Sequence, residues 1–290
     1  QYVQQRNIPC LGIEPTRATA EAARAKGIKT VESFFGLAFA EELEPADLVV
    51  ANNVLAHVPD INDFVAGIAR LLKPQGRASI EFPHLLQLLK GNQFDTIYHE
   101  HYSYLSLGAV QRIALTQGLE VVDVEQLPTH GGSLRVWLAH AKTTEPSAAF
   151  AAVLADEAAI GLESLTAYED FQHRAEMAKN SLLEFLLEAK RNDKLVMGYG
   201  AAAKGNTLLN YAGVKSDLLP AVADRALSKQ GHYLPGSHIP VVRPEVLTAK
   251  APDALLVLPW NLINEVRQQL PGYELVTVIP GMQRWEALHK

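Results

Sequence analysis

The sequence predicts an α/β protein made of two Rossmann-like, doubly wound units that are joined by helices. Apolar strand-like runs alternate with helical segments over residues 9–140, and a second alternation of the same kind begins at residue 194. Between them, residues 149–190 are rich in Ala, Leu and Glu and contain no proline, which predicts helix. Strands that alternate with helices form parallel sheets whose two faces are both covered.

The first unit opens with a strand, and strands and helices then alternate over most of it. Gly27 and the turn at residues 73–76 stop its first two helices, and Ser106 is a candidate N-cap for the third. The last two strands follow one another without a helix, which predicts an antiparallel edge. The predicted elements are strand 9–13, helix 16–26, strand 28–31, strand 47–53, helix 61–73, strand 77–83, helix 107–117, and strands 119–126 and 133–140.

The second unit follows a linker and a helical stretch. Residues 141–148 have the composition of a linker, so we predict one domain over residues 1–142 and another over residues 143–290. The predicted elements after the helical stretch are strand 194–199, a helix opened by residues 200–205, strand 219–224, helix 244–250, strand 253–258, helix 261–270 and strand 274–279.

The composition favours a protein that acts on small molecules. The formal net charge is −6 and no basic run is present, which argues against binding to nucleic acid. Cys10 is the only cysteine, so these residues hold no disulfide framework, and a reducing compartment, the cytoplasm, is expected. No apolar run is long enough to span a bilayer, and a monomer is compatible with the sequence.

The densest chemistry lies in residues 94–105, which carry two imidazoles, two carboxyl groups and three phenols. Groups that titrate near neutral pH predict acid/base catalysis here. Two other interpretations stay open. If the segment were a strand, His99 and His101 would face the same way and could bind a metal, although no third ligand is placed by spacing. The rings could also satisfy buried backbone groups and serve the structure alone.

Four strand ends of the first unit carry candidate ligand-binding groups, because ligands of open α/β sheets bind at the carboxyl ends of the strands. Glu14 could accept hydrogen bonds from ribose hydroxyls or lie in solvent, and Phe34 or Phe35 could cover an adenine ring or belong to the core. Asn52 and Asn53, followed by His57, end the next apolar run, and the loop over residues 94–106 follows the strand after it.

The second unit contains a glycine pattern that resembles a dinucleotide fingerprint. Gly198-x-Gly200-x-x-Ala203 lies between a predicted strand and a helix, and Asp224 ends the next strand. This pattern favours a nicotinamide cofactor, but an ordinary tight turn from strand to helix accounts for it as well.

Several long motifs in the same order resemble the sugar C-methyltransferase family. These enzymes use S-adenosylmethionine to methylate a carbon next to the ketone of a nucleotide-linked deoxysugar. The resemblance covers essentially all 290 residues. The motifs that carry it are residues 52–60 (NNVLAHVPD), 81–83 (EFP), 94–101 (FDTIYHEH), 130–136 (HGGSLRV) and 198–206 (GYGAAAKGN).

The resemblance implies that residues 1–142 are a class I methyltransferase domain and that residues 143–290 form helices and a Rossmann-like domain for the sugar nucleotide. It implies His101 as the general base that removes a proton α to the ketone, with Tyr98, Glu100 and His57 as its helpers. The resulting enolate would attack the methyl group of the donor.

The resemblance also implies the ligand contacts. S-adenosylmethionine would be the cofactor and S-adenosylhomocysteine its product. The helix after Gly200 would hold the pyrophosphate of a sugar nucleotide, expected to be dTDP-linked, at its N-terminus. The implied donor contacts are Glu14, Phe34, Phe35, Asn52 and Asn53, and the implied substrate contacts are His130, Arg135, Gly200, Lys204 and Asn206.

Two parts of the family pattern are not found in these residues. They are the glycine-rich loop after the family's first strand and the N-terminal zinc-binding segment with its cysteines. We therefore expect the chain to begin partway into the methyltransferase domain, with a gap in the sheet between the strands that end at Glu14 and at Asn52, and with no metal. Two alternatives remain open: an NAD-dependent oxidoreductase or dehydratase acting on a sugar nucleotide, and a non-catalytic module that binds one.

Overall fold

In the computed structural model, which describes residues 1–288, the chain forms two units that interleave along the sequence. The first unit contains Gln1–Phe82, Leu107–Glu125 and Arg135–Val153. The second contains Pro83–Ser106, Gln126–Leu134 and the chain from Leu154 onward. The predicted domain boundary at residues 142–143 stays a prediction, because the compactness of a unit and the autonomy of a domain are different properties.

The described residues form strands and helices in alternation. The strands are β1 (Gly12–Ile13), β2 (Thr30–Val31), β3 (Ala46–Asn52), β4 (Leu72–Pro83), β5 (Leu119–Leu127), β6 (Ser133–His140), β7 (Val196–Tyr199), β8 (Val222–Ala223), β9 (Val241–Val242), β10 (Ala254–Val257), β11 (Glu274–Thr277) and β12 (Gln283–Trp285). The helices are α1 (Arg17–Ala25), α2 (Leu37–Ala40), α3 (Ile61–Leu71), α4 (Leu85–Lys90), α5 (Leu107–Thr116), α6 (Ala148–Ala159), α7 (Phe171–Arg191), α8 (Ala203–Tyr211), α9 (Glu245–Lys250) and α10 (Ile263–Gln269).

The mixed α/β class is confirmed, and the stretch over residues 149–190 that was predicted to be helical contains two separate helices. α6 ends at Ala159 and α7 begins at Phe171. Gly161 between them adopts a φ of 72°, a conformation that terminates helices. No helix among residues 1–288 is long and apolar enough to cross a membrane.

The first unit has its strands in two separate sheets. β1 and β2 form a parallel pair, and the other sheet has the order β3-β4-β6-β5. The strands that end at Glu14 and at Asn52 therefore belong to different sheets, and the missing strand between them stays a prediction. β3 is an edge strand, and its side chains Leu48 and Val50, on one face of the strand, are 53% and 57% exposed. β3 and β4 are parallel with Asn52 opposite Glu81, which aligns their carboxyl ends.

The second unit is a doubly wound sheet with the order β12-β11-β10-β7-β8-β9. The strand pairs from β11 to β9 are parallel, and β12 is antiparallel to β11. Alternate residues of β10 point to opposite cores: Leu256 packs in the core that includes α7 and α8, and Leu255 in the core that includes α9 and α10. The strand order reverses between β7 and β10, which is where ligands bind in sheets of this kind.

Candidate active site

The segment with the densest chemistry belongs to the second unit and is not a strand. It starts with a buried 3₁₀ turn at Phe94–Thr96 and continues as turns and irregular chain until Leu105, which bridges to His84. His99 is exposed. A metal site made by His99 and His101 would require a strand here, and the segment is not one. Residues 1–288 contain no group of three His, Cys, Asp or Glu side chains that could hold a metal ion.

His101 is held in a defined tautomer by the backbone. Its Nδ1 lies 2.8 Å from the carbonyl oxygen of Thr96. A carbonyl only accepts hydrogen bonds, so Nδ1 carries the proton and the neutral ring has its lone pair on Nε2. Tyr98 stacks on the imidazole with the ring centroids 4.4 Å apart, and Tyr104 approaches it edge-on at 6.0 Å. The imidazole thus has the orientation and the basic nitrogen that a general base needs.

The two phenols beside His101 remain protonated at neutral pH. Burial raises the pKa of Tyr98, and the neighbouring acids Glu100 and Asp95, followed by Tyr104, raise it further. Burial also raises the pKa of Tyr104. Each ring can therefore donate a hydrogen bond from its hydroxyl group. Glu100, by contrast, lies on the exposed part of the segment.

Asp95 is a site residue that sequence reasoning did not single out. Its side chain is fully buried, and Oδ2 accepts a hydrogen bond of 2.7 Å from Nε1 of Trp260. Burial raises the pKa of Asp95 to about 6, against the opposing effects of Trp260 and of the charge on Lys204. Oδ1 is buried and has no hydrogen-bond partner within residues 1–288. In the sequence, only its position inside the 94–101 motif points to Asp95. Its partner Trp260 lies 165 residues away, so the sequence gives no local sign of the contact.

Lys204 lies at the start of α8, beside the reversal point of the sheet. Its Nζ donates to the carbonyl oxygen of His130 at 2.9 Å and to Oδ1 of Asn261 at 3.3 Å, and it stands 4.7 Å over the ring of Trp260. Burial lowers its pKa, while the charge of Asp95 acts in the opposite direction. The structure thus brings together Lys204 and His130, two of the predicted substrate contacts.

Glycines allow the turn after β7 and helix α8 to pack closely against the chain that follows β10. Gly200 follows β7 with a φ of 84°, and a Cβ there would lie 2.5 Å from Cδ of Pro259. In α8, a Cβ on Gly205 would overlap the side chain of Leu258. His130 itself has a φ of 58°, followed by two glycines with positive φ. Positive φ values favour glycine, which explains Gly200 in one motif and Gly131 and Gly132 in the other.

A cleft of about 480 Å³ opens next to this cluster, within the second unit. Its walls offer an indole ring, amide side chains and backbone groups but no charged side chain. Such a lining suits the neutral, ring-shaped part of a polar ligand. The lining residues are Gln87, Gln126, Leu127, Pro128, Gly131, Gly132, Ser133, Trp260 and Asn261.

Two predicted substrate contacts have different surroundings. Oδ1 of Asn206 is buried and has no hydrogen-bond partner within the described chain, so an acceptor is available there. Arg135 belongs to the first unit, where its guanidinium donates to Glu81 and to Glu125, each at 3.1 Å. A substrate group at Arg135 would compete with these two carboxylates.

Asp224 does not have the surroundings of a dinucleotide-binding carboxylate. Its Oδ2 accepts a hydrogen bond from the backbone N–H of Ala201, and its Oδ1 accepts one from that of Ala226, both at 2.7 Å. Lys229 lies 3.6 Å from the same side chain. Both oxygens are engaged with the protein, so the carboxylate ties the Gly200 turn to the next strand instead of offering two acceptors to a ribose.

The donor contacts predicted for the first unit lie at strand ends. Glu14 follows β1, and its Oε1 accepts a 2.8 Å hydrogen bond from the backbone N–H of Thr16. Phe34, beyond the adjacent strand β2, is 80% exposed. Phe35 instead packs edge-on against Phe64 at 5.4 Å, so its role in the core is the one the structure favours.

Asn53 provides a test of whether these residues fit a bound donor. It adopts a φ of 55° directly after β3, and its Oδ1 is buried with no hydrogen-bond partner within residues 1–288. Buried acceptors in proteins are normally satisfied, so a hydrogen-bonding ligand fits this position. Asn52 is exposed at the same strand end, and His57 ends the short turn that follows.

The chain is similar to known methyltransferases along nearly its whole length. A family profile described as a methyltransferase domain matches residues 1–124, and one described as a C-methyltransferase C-terminal domain matches residues 128–280. The C-methyltransferase NovU of Streptomyces niveus is 38% identical over 261 residues, which are 88% of this chain and 62% of that protein. The chain thus spans less than two thirds of that relative's length.

Solved structures of methyltransferases superpose on part of the chain. An S-adenosylmethionine-dependent methyltransferase from Thermotoga maritima covers 48% of this chain and 75% of its own, with 19% identity and a TM-score of 0.38. The magnesium protoporphyrin IX methyltransferase of Synechocystis, with bound S-adenosylhomocysteine, covers 47% of this chain and 66% of its own, with 14% identity and a TM-score of 0.38.

The two matched domains, in this order, define the class of C-methyltransferases. The C-terminal profile covers more than half of the chain. The chain belongs to the C-methyltransferase family that carries this C-terminal domain.

Proposed function

We propose that this chain is the catalytic part of an S-adenosylmethionine-dependent C-methyltransferase, and that its substrate is a nucleotide-linked ketosugar, in the first place a dTDP-linked deoxysugar. The observation that carries the proposal is His101, an imidazole whose Nδ1 proton is donated to the backbone, so that its basic nitrogen is Nε2. The family to which the chain belongs and the NovU relative support the same activity. We place the enzyme in the cytoplasm, with no nucleic-acid or membrane partner.

The chain's own residues can perform the proton transfer. Nε2 of His101 accepts the proton from the carbon α to the ketone, and the electron pair of that C–H bond moves toward the ketone oxygen. A protonated phenol such as Tyr98 donates a hydrogen bond to the enolate oxygen as its charge develops. His57, which belongs to the first unit, stays a predicted helper. Glu100 is proposed as a helper of the base from the same segment. The donor, when bound, supplies an electrophilic methyl group.

Donor binding is assigned to the first unit. Glu14 is the proposed acceptor for the ribose hydroxyls, and the exposed ring of Phe34 covers the adenine. Asn52 and Asn53 stand at the end of β3, where the unpartnered oxygen of Asn53 meets a donor group of the ligand. Phe35 supports this loop from the core and is not proposed as a direct contact.

Substrate binding is assigned to the second unit, at the reversal point of its sheet. The ammonium group of Lys204 and the N-terminus of α8 provide positive potential for a pyrophosphate, and Gly200 allows the backbone to come close. His130, Asn206 and the adjoining cleft contact the rest of the sugar nucleotide. Arg135 would have to leave its carboxylates to take part.

A calorimetric titration tests the donor assignment. We expect saturable binding of S-adenosylhomocysteine and none of NAD in a parallel titration. Binding of NAD alone would favour the oxidoreductase alternative. Sugar-nucleotide binding without methyl transfer in the presence of the donor would favour the non-catalytic module.

Replacing the base separates chemistry from binding. We expect His101→Asn to lower the rate of methyl transfer to a dTDP-linked ketosugar by about 10²–10⁴-fold, the usual contribution of a general base, with unchanged affinity for S-adenosylhomocysteine. His99→Asn is the matched control, because it removes an exposed imidazole two residues away. Equal turnover of wild type and His101→Asn would contradict the assignment of the base.

A further inference from the structure

The backbone carbonyl of Thr96 favours one tautomer of His101. The Nδ1–H of the imidazole donates to this oxygen at 2.8 Å. In free imidazole the proton exchanges between the two nitrogens, so the position of the acceptor decides which nitrogen keeps the lone pair. The contacts that hold the carbonyl of Thr96 in place therefore also determine which ring nitrogen of His101 can act as a base.

The turn that contains Thr96 is anchored on both sides. Within the turn, Thr96 donates from its backbone N–H at 3.1 Å and from its Oγ1 at 2.8 Å to the carbonyl oxygen of Gln93. Gln93 in turn donates from Nε2 to the carbonyl oxygen of Gly131 at 2.7 Å. On the other side, Asp95 accepts the 2.7 Å hydrogen bond from Trp260, which joins the turn to the loop after β10.

The burial of Asp95 lowers the stability of the folded state. Its carboxyl group is fully buried, and one of its two oxygens has no hydrogen-bond partner within residues 1–288. Burying a carboxylate with incomplete hydrogen bonding disfavours the folded state. An apolar side chain would avoid this cost but could not accept the hydrogen bond from Trp260. A buried acceptor at this position is therefore better explained by the contact that it makes with Trp260.

We infer that Asp95 is a positioning residue for the base: by binding Nε1 of Trp260 it holds the Phe94–Thr96 turn, and through the carbonyl of Thr96 it keeps His101 in the Nδ1–H tautomer. This inference rests on the proposed function, in which Nε2 of His101 takes the proton. It assigns a role to two residues, Asp95 and Trp260, that lie 165 positions apart in the chain.

The test is a measurement of the tautomer in ligand-free protein. Long-range ¹H–¹⁵N spectra of histidine-labelled protein distinguish the two tautomers, and His101→Asn assigns the signal. Wild type is expected in the Nδ1–H form. Asp95→Ala is expected to give a mixture of the two tautomers. Asp95→Asn is expected to retain the wild-type form, because its amide oxygen can accept the hydrogen bond of Trp260.

Two further variants keep the test decisive. Trp260→Phe removes the donor of the hydrogen bond instead of the acceptor, so it is expected to give the same mixture of tautomers. If Asp95→Ala does not fold, this variant tests the inference in its place. Asp193→Asn, which removes an exposed carboxyl group in the same unit, is the control and leaves the tautomer unchanged. A wild-type tautomer in both Asp95→Ala and Trp260→Phe would overturn the inference.

Kinetics add a second readout that keeps the two proposals apart. Asp95→Ala is expected to lower kcat on the order of 10²-fold with little change in KM, because a misoriented base slows the chemical step. A tautomer change in a protein that never transfers a methyl group would refute the proposed function while leaving the positioning role in place. Full methyl transfer in Asp95→Ala would refute the positioning role alone.

Discussion

At Asp95, stability and function make opposite demands on one side chain. Its burial favours the protonated form, and the pKa of about 6 lies above the usual value for an aspartate. The folded protein therefore binds this proton more tightly than the unfolded chain does. Between pH 4 and 6 the unfolded chain loses the proton first, so the contribution of Asp95 to stability falls as the pH rises through this window.

This sign gives a prediction for Asp95→Asn. The variant removes the ionisation, so its free energy of unfolding relative to wild type should increase by about 3 kcal/mol between pH 3.5 and pH 7.5, following the raised pKa. The measurement is urea unfolding at a series of pH values, and only the difference between variant and wild type is used, so that other carboxyl groups cancel. A difference that stays constant with pH would contradict the raised pKa.

Some features of the site can be predicted from the sequence, and others cannot. The segment that holds Tyr98 and His101 stands out because its titratable groups are dense, whereas the roles of the two residues follow from the family resemblance and stay predictions. The pair Phe34 and Phe35 could not be divided into an exposed and a packed ring, since the packing of Phe35 depends on Phe64 in a distant helix. The partnership of Asp95 with Trp260 has no local signal at all, because it exists only after the two segments have folded together.

At the scale of elements, most helices and strands were predictable because hydrophobic period and end signals agree. In α3, Asp60 accepts a hydrogen bond from the backbone N–H of Asp63 and caps the helix. The helix ends at Leu71, two residues before the predicted end, because extended chain pairing with β3 begins at Leu72. α4 was missed because it has only six residues, four of them leucine, and so lacks a readable periodicity.

A substitution in α8 tests the close packing of this helix on the strand-end loop. Alanine at position 205 would gain up to about 1 kcal/mol of helix propensity, but its Cβ overlaps Leu258. Overpacking a core usually costs about 1–3 kcal/mol, so we expect Gly205→Ala to lower the free energy of unfolding. The measurement is urea unfolding, with Gly272→Ala as the control because no atom lies near that Cβ position. A more stable Gly205→Ala would contradict the packing.

At the scale of the molecule, the second unit is assembled from distant parts of the chain. Phe94 lies in the same core as α7 and α8. Nδ2 of Asn92 donates to the carbonyl oxygens of Arg174 and Pro280, and Arg174 donates back to the carbonyl of Leu89 at 2.8 Å. Residues 83–106 are therefore an integral part of this unit, although they precede the predicted boundary at residue 143.

This arrangement predicts how fragments behave. The fragment 143–290 lacks residues 83–106 and 126–134, so it leaves part of its core and several buried polar groups uncovered. We expect it to lack cooperative unfolding, as followed by circular dichroism, whereas the fragment 83–290 should unfold cooperatively. A cooperative transition of 143–290 at the same temperature as 83–290 would instead support the boundary at residues 142–143.

The edge strand β3 has a consequence for handling the protein in solution. Leu48 and Val50 present apolar surface beside backbone N–H and C=O groups that no neighbouring strand pairs on that side within the described chain. Such an edge is a template for strand addition by another molecule. Concentrated stocks of this chain will therefore carry a nucleus for intermolecular β-aggregation, and light scattering during concentration will show it before any loss of helical signal does.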